Sequence, residues 1–236
     1  MAQQSFATNS IRCVCFDWGG VILRHCRSWE EACNYVGLPV RAGAIDPKLV
    51  SMRREINAAY TTGKITSDQY FSQMTQANQG LYTEAELRII HAGWLKREYA
   101  GLDRIILRLN RTSAIETALL SNTCASHWSR HLPSERGPAD YPTISLIRHK
   151  HASHLLGHSK PGQEIYRAFE AATGFQGACV LFFDDLPENI KTAEQLGWQG
   201  ELIDHTQETA PQVIAALTRH GLWHDAPAQT HPSVHA

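Results

Sequence analysis

Hydrophobic residues in this chain form short continuous runs, and several of the runs end abruptly at polar residues. A run without polar alternation is typical of a strand that is buried on both faces of a parallel sheet. Three such runs end at groups able to do chemistry: residues 11–16 run into Asp17, residues 118–120 into Ser121 and Asn122, and residues 179–183 into Asp184 and Asp185. The pattern therefore predicts three buried strands with polar side chains at their carboxyl ends.

Between residues 24 and 98 the pattern changes to helical spacing, and we expect no strand there. Asp46 precedes Pro47 as a helix cap, and two capping boxes follow, Thr66 with Gln69 and Thr83 with Glu86. Apolar residues recur three or four positions apart after these caps. The segment is predicted to be a block of about four helices inserted after the first strand.

Strands and helices alternate in the second half of the chain. Pro161 is expected to open a helix that Gly174 closes, a second helix begins at Pro187, and a short strand is expected near residues 201–203. A further helix is expected around residues 211–217. This order predicts an α/β fold, in which a parallel sheet is wrapped by helices.

Composition narrows the class of protein. The 236 residues carry a net charge of −1, so there is no basic excess for binding nucleic acid, and 43% hydrophobic residues suffice for a sizeable core. No apolar run is long enough to span a membrane, and residues 1–12 contain no stretch typical of a signal peptide. We expect a cytoplasmic protein without a membrane or nucleic-acid partner. Its six cysteines are predicted to be reduced core residues.

The candidate chemistry lies at the predicted strand ends. Asp17, Ser121 with Asn122, and Asp184 with Asp185 would meet at one edge of a parallel sheet, and Lys160 just before Pro161 is the fourth candidate. Three adjacent carboxylates repel one another, and a divalent cation such as Mg²⁺ would keep them ionised. A cation beside a lysine and a hydroxyl suits a phosphoryl group, which one carboxylate could attack.

Four segments carry a family resemblance: residues 16–21 (FDWGGV), 120–123 (LSNT), 157–161 (GHSKP) and 182–190 (FFDDLPENI). In this order they resemble the four motifs of the haloacid dehalogenase-like (HAD-like) hydrolase superfamily, and most of all its small bacterial sugar-phosphate phosphatases related to glucose-1-phosphatase. The resemblance spans about residues 11–203. It implies a Rossmann-like parallel-sheet core of residues 11–24 and 101–222 and a helical cap of residues 25–100. The termini at 1–10 and 223–236 are expected to be mobile, since the last residues are rich in Pro, Ala and His without periodicity.

The resemblance also implies an activity and roles for individual residues. The activity would be that of a phosphoric monoester hydrolase, a Mg²⁺-dependent phosphatase acting on a small phosphorylated metabolite as a monomer or homodimer. The implied roles are Asp17 as nucleophile and metal ligand, Ser121 and Asn122 as phosphate-binding residues, Lys160 as catalytic and phosphate-binding cation, Asp184, Asp185 and the Gly19 carbonyl as metal ligands, and Asn189 as an orienting residue.

Position 19 departs from the pattern of most phosphatases of this superfamily. Those enzymes have a second Asp two residues after the nucleophile, which protonates the leaving alcohol and then activates water, whereas this chain has Gly19. The related sugar-phosphate phosphatases also have Gly there. Because general acid catalysis is worth about 10²–10⁴-fold, its absence favours substrates with an activated leaving group, such as an anomeric or acyl phosphate.

Two other functions stay open at this stage. One is a haloacid dehalogenase, in which Asp17 would attack carbon, although such enzymes typically lack an acidic pair like Asp184 and Asp185. The other is a catalytically weak member of the family that binds a phosphorylated ligand, an alternative kept by Gly19.

Two features outside the motifs have a simpler interpretation. Four histidines at positions 149, 151, 154 and 158 are expected to lie in a solvated loop rather than in a zinc site, because no cysteine or carboxylate lies among them. Cys124 follows the segment that contains Ser121, and we interpret it as a buried bystander rather than a reactive thiol.

Overall fold

A five-stranded parallel sheet forms the centre of the molecule in a computed structural model, which describes residues 11–135 and 137–224. The strands lie in the order β5-β4-β1-β6-β7 and all pair in parallel. Their bounds are β1 Cys13–Phe16, β4 Glu116–Ser121, β5 His149–Ala152, β6 Val180–Asp184 and β7 Gln199–Leu202. This architecture confirms the predicted α/β fold with a Rossmann-like sheet.

The central strand β1 is buried on both faces because helices cover both sides of the sheet. Its side chains alternate, so that Val14 and Phe16 enter one apolar cluster and Cys13 and Cys15 enter another. Helices α5 (Leu102–Asn110) and α10 (Thr209–Arg219) supply the first cluster. Helices α8 (Gln163–Thr173) and α9 (Pro187–Gln195) supply the second, and Gly174 ends α8 in the left-handed conformation as expected.

The helical insertion, defined here as residues 29–92, contains four helices. They are α1 (Trp29–Tyr35), α2 (Pro47–Thr61), α3 (Ser67–Ala77) and α4 (Glu84–Ala92). Asp46 caps α2, and both predicted capping boxes are present at the starts of α3 and α4. The insertion has its own apolar cluster, which also includes Cys124 of the sheet domain. The prediction of a helical block is thus confirmed down to its caps.

Two predictions about strands are wrong. A two-stranded antiparallel sheet of β2 (Leu23–His25) and β3 (Leu95–Glu98) lies at the two ends of the insertion, where no strand was expected. His149 and His151 lie in β5 rather than in a loop, and His154 lies in the short helix α7 (Ser153–Leu156). In both cases lateral pairing with a distant strand decides the structure, and the local sequence carries little sign of it.

Three further predictions concern the ends of the chain, its cysteines and membrane-spanning helices. Of the segments predicted to be mobile, 1–10 and 223–236, the first and residues 225–236 of the second lie outside the described residues. All six cysteines lie within the described part and are free thiols, as expected. No helix in the described ranges is long and apolar enough to cross a membrane.

The layer of α8 against the sheet gives a stability prediction. Phe169 is fully buried, and its ring lies 5.1 Å from the rings of both His151 and Trp198. We expect Phe169→Ala to lower the free energy of unfolding by about 3–5 kcal/mol, because it removes buried surface and leaves a cavity. Urea denaturation measures this change. Leu107→Ala on the exposed side of α5 is the matched control and should change it by less than about 1 kcal/mol.

Candidate active site

Three neighbouring strands bring the predicted polar residues to one edge of the sheet. Asp17 directly follows β1, while Ser121 and Asp184 are the last residues of β4 and β6, the strands on either side of it. The amide of Asp17 donates to the carbonyl of Phe183 over 2.8 Å, which continues the β1–β6 pairing into the site. The carboxyl ends of parallel strands are where open α/β sheets form their sites.

Lys160 is a buried cation between two of the carboxylates. Its Nζ lies 3.0 Å from Asp17 Oδ1 and 2.6 Å from Asp184 Oδ2, and the residue is 4% exposed. Burial disfavours the ammonium ion, but the two carboxylates outweigh it and raise the pKa of Lys160. The lysine therefore stays charged in a place where an unpaired ammonium would not.

Asp17 is a buried carboxyl group whose surroundings disfavour its charged form. Its Oδ1 accepts a 2.6 Å hydrogen bond from the amide of Trp18 in addition to the Lys160 contact. Burial raises the pKa of Asp17 to about 7, although Lys160 opposes the shift, and Asp184 raises the pKa further. A hydrogen bond from Ser121 also favours the ionised form. The ionised form of Asp17 is therefore disfavoured by its surroundings, and a further positive charge nearby would stabilise it.

Asp184 is fully buried and connects the parts of the site. Its Oδ1 accepts from the amide of Leu186 over 2.9 Å, and the side-chain amide of Asn189 donates to both of its oxygens over 2.9 and 3.0 Å. Together with Lys160, these donors fix the position of the carboxylate. Asn189 therefore contacts Asp184 directly, and the orienting role that the resemblance implies for it stays a prediction.

Asn122 has a structural contact that the sequence did not indicate. Its Nδ2 donates to the carbonyl of Lys160 over 2.8 Å, and its Oδ1 accepts from the Lys160 amide over 2.9 Å. Both ends of the side chain thus hold the backbone of Lys160. A phosphate-binding role for Asn122 stays a prediction. Because both ends of the side chain bind Lys160, the backbone of Asn122 rather than its side chain would contact phosphate.

Asp185 pairs with residues that sequence reasoning missed. Its Oδ2 lies 2.6 Å from Arg27 Nη2 and 3.4 Å from His205 Nδ1. Burial raises the pKa of Asp185, and Arg27 opposes this change. Arg27 lies just beyond β2, and His205 follows β7. Neither residue lies in a recognisable motif, so only their position in the fold reveals the contact.

The donor set of the site fits a hard divalent cation. Oxygen atoms of Asp17, Asp184 and Asp185 lie within 4.8 Å of one another, and all three residues are buried. Carboxylate oxygens are the ligands that Mg²⁺ prefers. Gly20 leaves the room that this arrangement needs, since a Cβ at this position would lie 2.2–2.5 Å from the carboxyl group of Asp185. The carbonyl of Gly19 stays a predicted further ligand.

The space beside Gly19 is filled by a histidine. A Cβ on Gly19 would lie 2.8 Å from Cδ2 and 3.0 Å from Nε2 of His25. The other ring nitrogen of His25, Nδ1, is 2.9 Å from the carbonyl of Cys26, so it carries the proton and donates. Burial lowers the pKa of His25 to about 4, and at neutral pH the ring is uncharged with Nε2 free of a proton.

A cavity of about 640 Å³ extends from these residues into the helical insertion. Asp17, Ser121, Lys160 and Asp185 line one part of it, and Trp29, Arg54, Asn57 and Tyr70 of the insertion line another part. A volume of this size suits a small metabolite. The insertion therefore supplies surface that could recognise the part of a substrate that does not react.

Comparisons with known proteins agree on the fold. No family model matches the chain. Over 70 residues it is 30% identical to a protein from Mycobacterium tuberculosis that is named a phosphatase, but this segment is only 30% of this chain and 32% of that protein. The match thus spans about a third of the length of that relative.

Solved structures align over most of the chain. A predicted HAD-like family hydrolase from Porphyromonas gingivalis has a TM-score of 0.70 at 23% identity, covering 88% of this chain and 98% of that chain. A HAD-family enzyme from Bacteroides thetaiotaomicron, in complex with magnesium and inorganic phosphate, has a TM-score of 0.65 at 18% identity, covering 85% and 98%.

An L-2-haloacid dehalogenase from Xanthobacter autotrophicus with covalently bound chloropropionic acid also aligns. Its TM-score is 0.57 at 15% identity, and the alignment covers 91% of this chain and 85% of that chain. Proteins named as a HAD-like hydrolase, a HAD-family enzyme and a haloacid dehalogenase therefore share this architecture. The fold of this chain is that of the HAD-like hydrolases.

Gly20 gives a prediction that separates backbone strain from the shape of the site. Its φ of +82° disfavours any side chain, and Gly37 has a similar φ of +73° with no atom within 4 Å of an added Cβ. Both Gly20→Ala and Gly37→Ala should cost about 1–2 kcal/mol of stability from the left-handed backbone. Only Gly20→Ala displaces Asp185, so only this variant should also lose Mg²⁺ affinity in calorimetric titrations. Equal Mg²⁺ affinity in the two variants would contradict the assignment of Asp185 as a ligand.

Proposed function

We propose that this chain is a Mg²⁺-dependent phosphatase of the HAD-like type, which hydrolyses a small phosphorylated metabolite through an aspartyl-phosphate on Asp17. The observation that carries the proposal is the buried Lys160 ammonium, 3.0 Å from Asp17 and 2.6 Å from Asp184, at the edge of a cluster of three carboxylates. The names of the aligned proteins, a phosphatase and an enzyme crystallised with magnesium and phosphate, support it.

In the first step, Asp17 attacks phosphorus and displaces the alcohol or other leaving group. The Trp18 amide and Lys160 both contact Oδ1, so we assign Oδ2 as the attacking oxygen. One O–P bond forms and the ester O–P bond breaks, and the electron pair of that bond stays with the leaving oxygen. Lys160 and the hydroxyl of Ser121 offset negative charge on the carboxylate and on the phosphoryl oxygens.

A bound Mg²⁺, held by Asp17, Asp184 and Asp185 with the Gly19 carbonyl, would neutralise the phosphoryl oxygens and orient them. In the second step, water attacks the phosphorus of the aspartyl-phosphate, which releases inorganic phosphate and restores the Asp17 carboxylate. Arg27 keeps Asp185 in place beside the phosphoryl site through its 2.6 Å ion pair.

The residues around Gly19 determine which leaving groups can depart readily, because they decide whether a proton donor is present. No carboxyl group is present at position 19 to donate a proton, and His25, which fills the adjacent space, is uncharged at neutral pH. Its Nε2 can accept a proton but has none to give. A leaving group that is stable without protonation, such as the oxygen of an anomeric or acyl phosphate, therefore suits this site better than an ordinary alcohol.

The helical insertion is assigned the role of a cap. It forms part of the wall of the 640 Å³ cavity, and the two short strands β2 and β3 connect it to the sheet domain. A cap of this kind excludes water from the reaction and selects the substrate by its contacts with the part that does not react. Substrate specificity would then depend on the insertion rather than on the motif residues.

The dehalogenase alternative has support from aligned structures that are named dehalogenases. The L-2-haloacid dehalogenase shares the fold, and attack of Asp17 on carbon would use the same nucleophile. Such a reaction has no use for the cluster that Asp17 forms with the buried Asp184 and Asp185, in which three carboxylates lie within 4.8 Å. This cluster favours the phosphatase.

Phosphate release from a panel of phosphorylated metabolites, with and without Mg²⁺, tests the proposed activity. We expect release that depends on Mg²⁺ and that falls by more than about a thousandfold in Asp17→Asn, because the amide is not a nucleophile. Asp103→Asn, a matched change at an exposed position of α5, should keep full activity. Halide release from 2-haloacids without phosphate release would favour the dehalogenase, and binding of phosphorylated compounds without turnover would favour a ligand-binding role.

The identity of the leaving group gives a second test. We expect kcat/KM for hexose 1-phosphates to exceed that for the 6-phosphates of the same sugars by at least about tenfold, because the anomeric oxygen needs less protonation. Steady-state kinetics on matched pairs of sugars measure the ratio. A clear preference for the 6-phosphates would contradict the argument from Gly19 and His25.

A further inference from the structure

A second group of metal-binding side chains lies on the wall of the same cavity. His91 of α4, Cys124 just after β4, and His127 of α6 (Ala125–Trp128) have ligand atoms within 4.8 Å of one another. All three residues line the cavity that contains Asp17. They come from both parts of the molecule, since His91 belongs to the insertion and the other two belong to the sheet domain. The proposed phosphatase mechanism uses none of them.

Hydrogen bonds connect the three residues to one another. The Cys124 Sγ lies 3.6 Å from His91 Nε2, close to the separation of sulfur and nitrogen ligands around one tetrahedral ion. The Nε2 of His127 is 2.8 Å from the carbonyl of His91, and because a carbonyl only accepts, this nitrogen carries the proton. The lone pair of His127 is therefore on Nδ1.

This tautomer is the one that a metal-binding histidine needs. Histidine ligands generally donate their second ring N–H to a carbonyl or carboxylate, which fixes the ring and strengthens the ligand. The carbonyl of His91 serves His127 in this way, and the two rings lie with centroids 4.0 Å apart. His127 is thus oriented by the backbone of the residue that supplies another ligand atom.

The chemistry of the cluster differs from that of the carboxylate site. A thiolate with two imidazoles is a soft donor set, which selects Zn²⁺ and similar ions over Mg²⁺. Cys124 is 2% exposed, and its Sγ faces the ring of His91 over 3.6 Å.

We infer that His91, Cys124 and His127 form a second metal site, selective for Zn²⁺ or another thiophilic divalent ion, at the junction between the insertion and the sheet domain. Three protein ligands leave a fourth position for water or for a group of the substrate, as in zinc sites that are not closed. Binding replaces the thiol proton of Cys124, so one proton is released to solvent for each ion bound. An ion at this place would tie α4 to the sheet domain.

The simpler interpretation is a thiol that is hydrogen-bonded to two histidines and packed among apolar residues. It accounts for the 3.6 Å contact between Cys124 and His91, and the Cys124 thiol also lies 3.5 Å from the hydroxyl of Ser126. It does not explain why ligand atoms of three residues lie within 4.8 Å of one another, or why Nδ1 of His127 carries no proton. The two interpretations differ in one measurable property, a bond between sulfur and metal.

Titration of the reduced full-length protein with Co²⁺ in excess Mg²⁺ tests the inference. Mg²⁺ occupies the carboxylate site, and we expect one equivalent of Co²⁺ to produce a thiolate-to-cobalt charge-transfer band and the intense visible bands of four-coordinate cobalt. Zn²⁺ should displace this Co²⁺ and abolish the bands. The readout is independent of catalytic activity, so it stands whether or not the proposed phosphatase activity is found.

Single substitutions assign the ligands. Cys124→Ser should abolish the charge-transfer band, and His127→Asn should weaken Co²⁺ binding by at least about tenfold. Cys26→Ser is the matched control, because Cys26 is buried in the same apolar cluster but is outside the group of ligand atoms, and it should keep the band. No charge-transfer band in the wild type, or a band that survives Cys124→Ser, would overturn the inference. If Cys124→Ser does not fold, the wild-type band and the His127→Asn affinity decide the question.

Discussion

The ion pairs of Lys160 with Asp17 and Asp184 are the interaction on which the rest of the site depends. Burying an ammonium ion and two carboxylates costs several kcal/mol for each ion, and the cost is offset only when the geometry is close to ideal. Here the distances are 3.0 and 2.6 Å, and both carboxylates accept further backbone or amide hydrogen bonds. The pairing therefore requires that β1 and β6 end at the same level, which their parallel register provides.

The same constraint explains the position of Asn122. Lys160 precedes α8, and the start of a helix does not by itself fix the position of a lysine at the end of a sheet. Asn122, which follows β4, binds both the amide and the carbonyl of Lys160 and so fixes the lysine backbone to the strand beside β1. A residue whose type suggests contact with substrate thus contributes by positioning the cation that contacts Asp17.

The sequence predicts those parts of the structure that depend on only a few neighbouring residues. The capping boxes at Thr66 and Thr83 and the buried strands that end at Asp17 and Asp184 were predictable, because each needs only a few neighbouring residues. Strand β5 was not, since a sequence of His-Lys-His-Ala has no apolar pattern and becomes a strand only through pairing with β4. Strand β3 was not predictable for the same reason.

The residues that surround the reactive groups were not predictable for a related reason. Arg27, His25 and His91 lie in segments whose local patterns describe a helix or a strand end, and their contacts with the site depend on how the insertion packs against the sheet. A cation beside Asp185 changes the charge of the carboxylate cluster, and an uncharged ring beside Gly19 changes which proton transfers are possible. The motifs thus locate the candidate site, while residues brought to it by the fold determine the charge and the proton donors and acceptors around it.

The two groups of side chains that could hold a metal ion differ in their chemistry, and we propose that each would select a different kind of divalent ion. Asp17, Asp184 and Asp185 offer oxygen ligands with Lys160 and Arg27 as fixed counter-charges, an environment in which a hard, hydrated ion gains most. Cys124 lies only three residues beyond Ser121, yet its sulfur is surrounded by imidazoles and apolar side chains. Because donor softness rather than distance separates the two environments, a change at Cys124 can alter the preference for soft ions while the carboxylate cluster keeps its own.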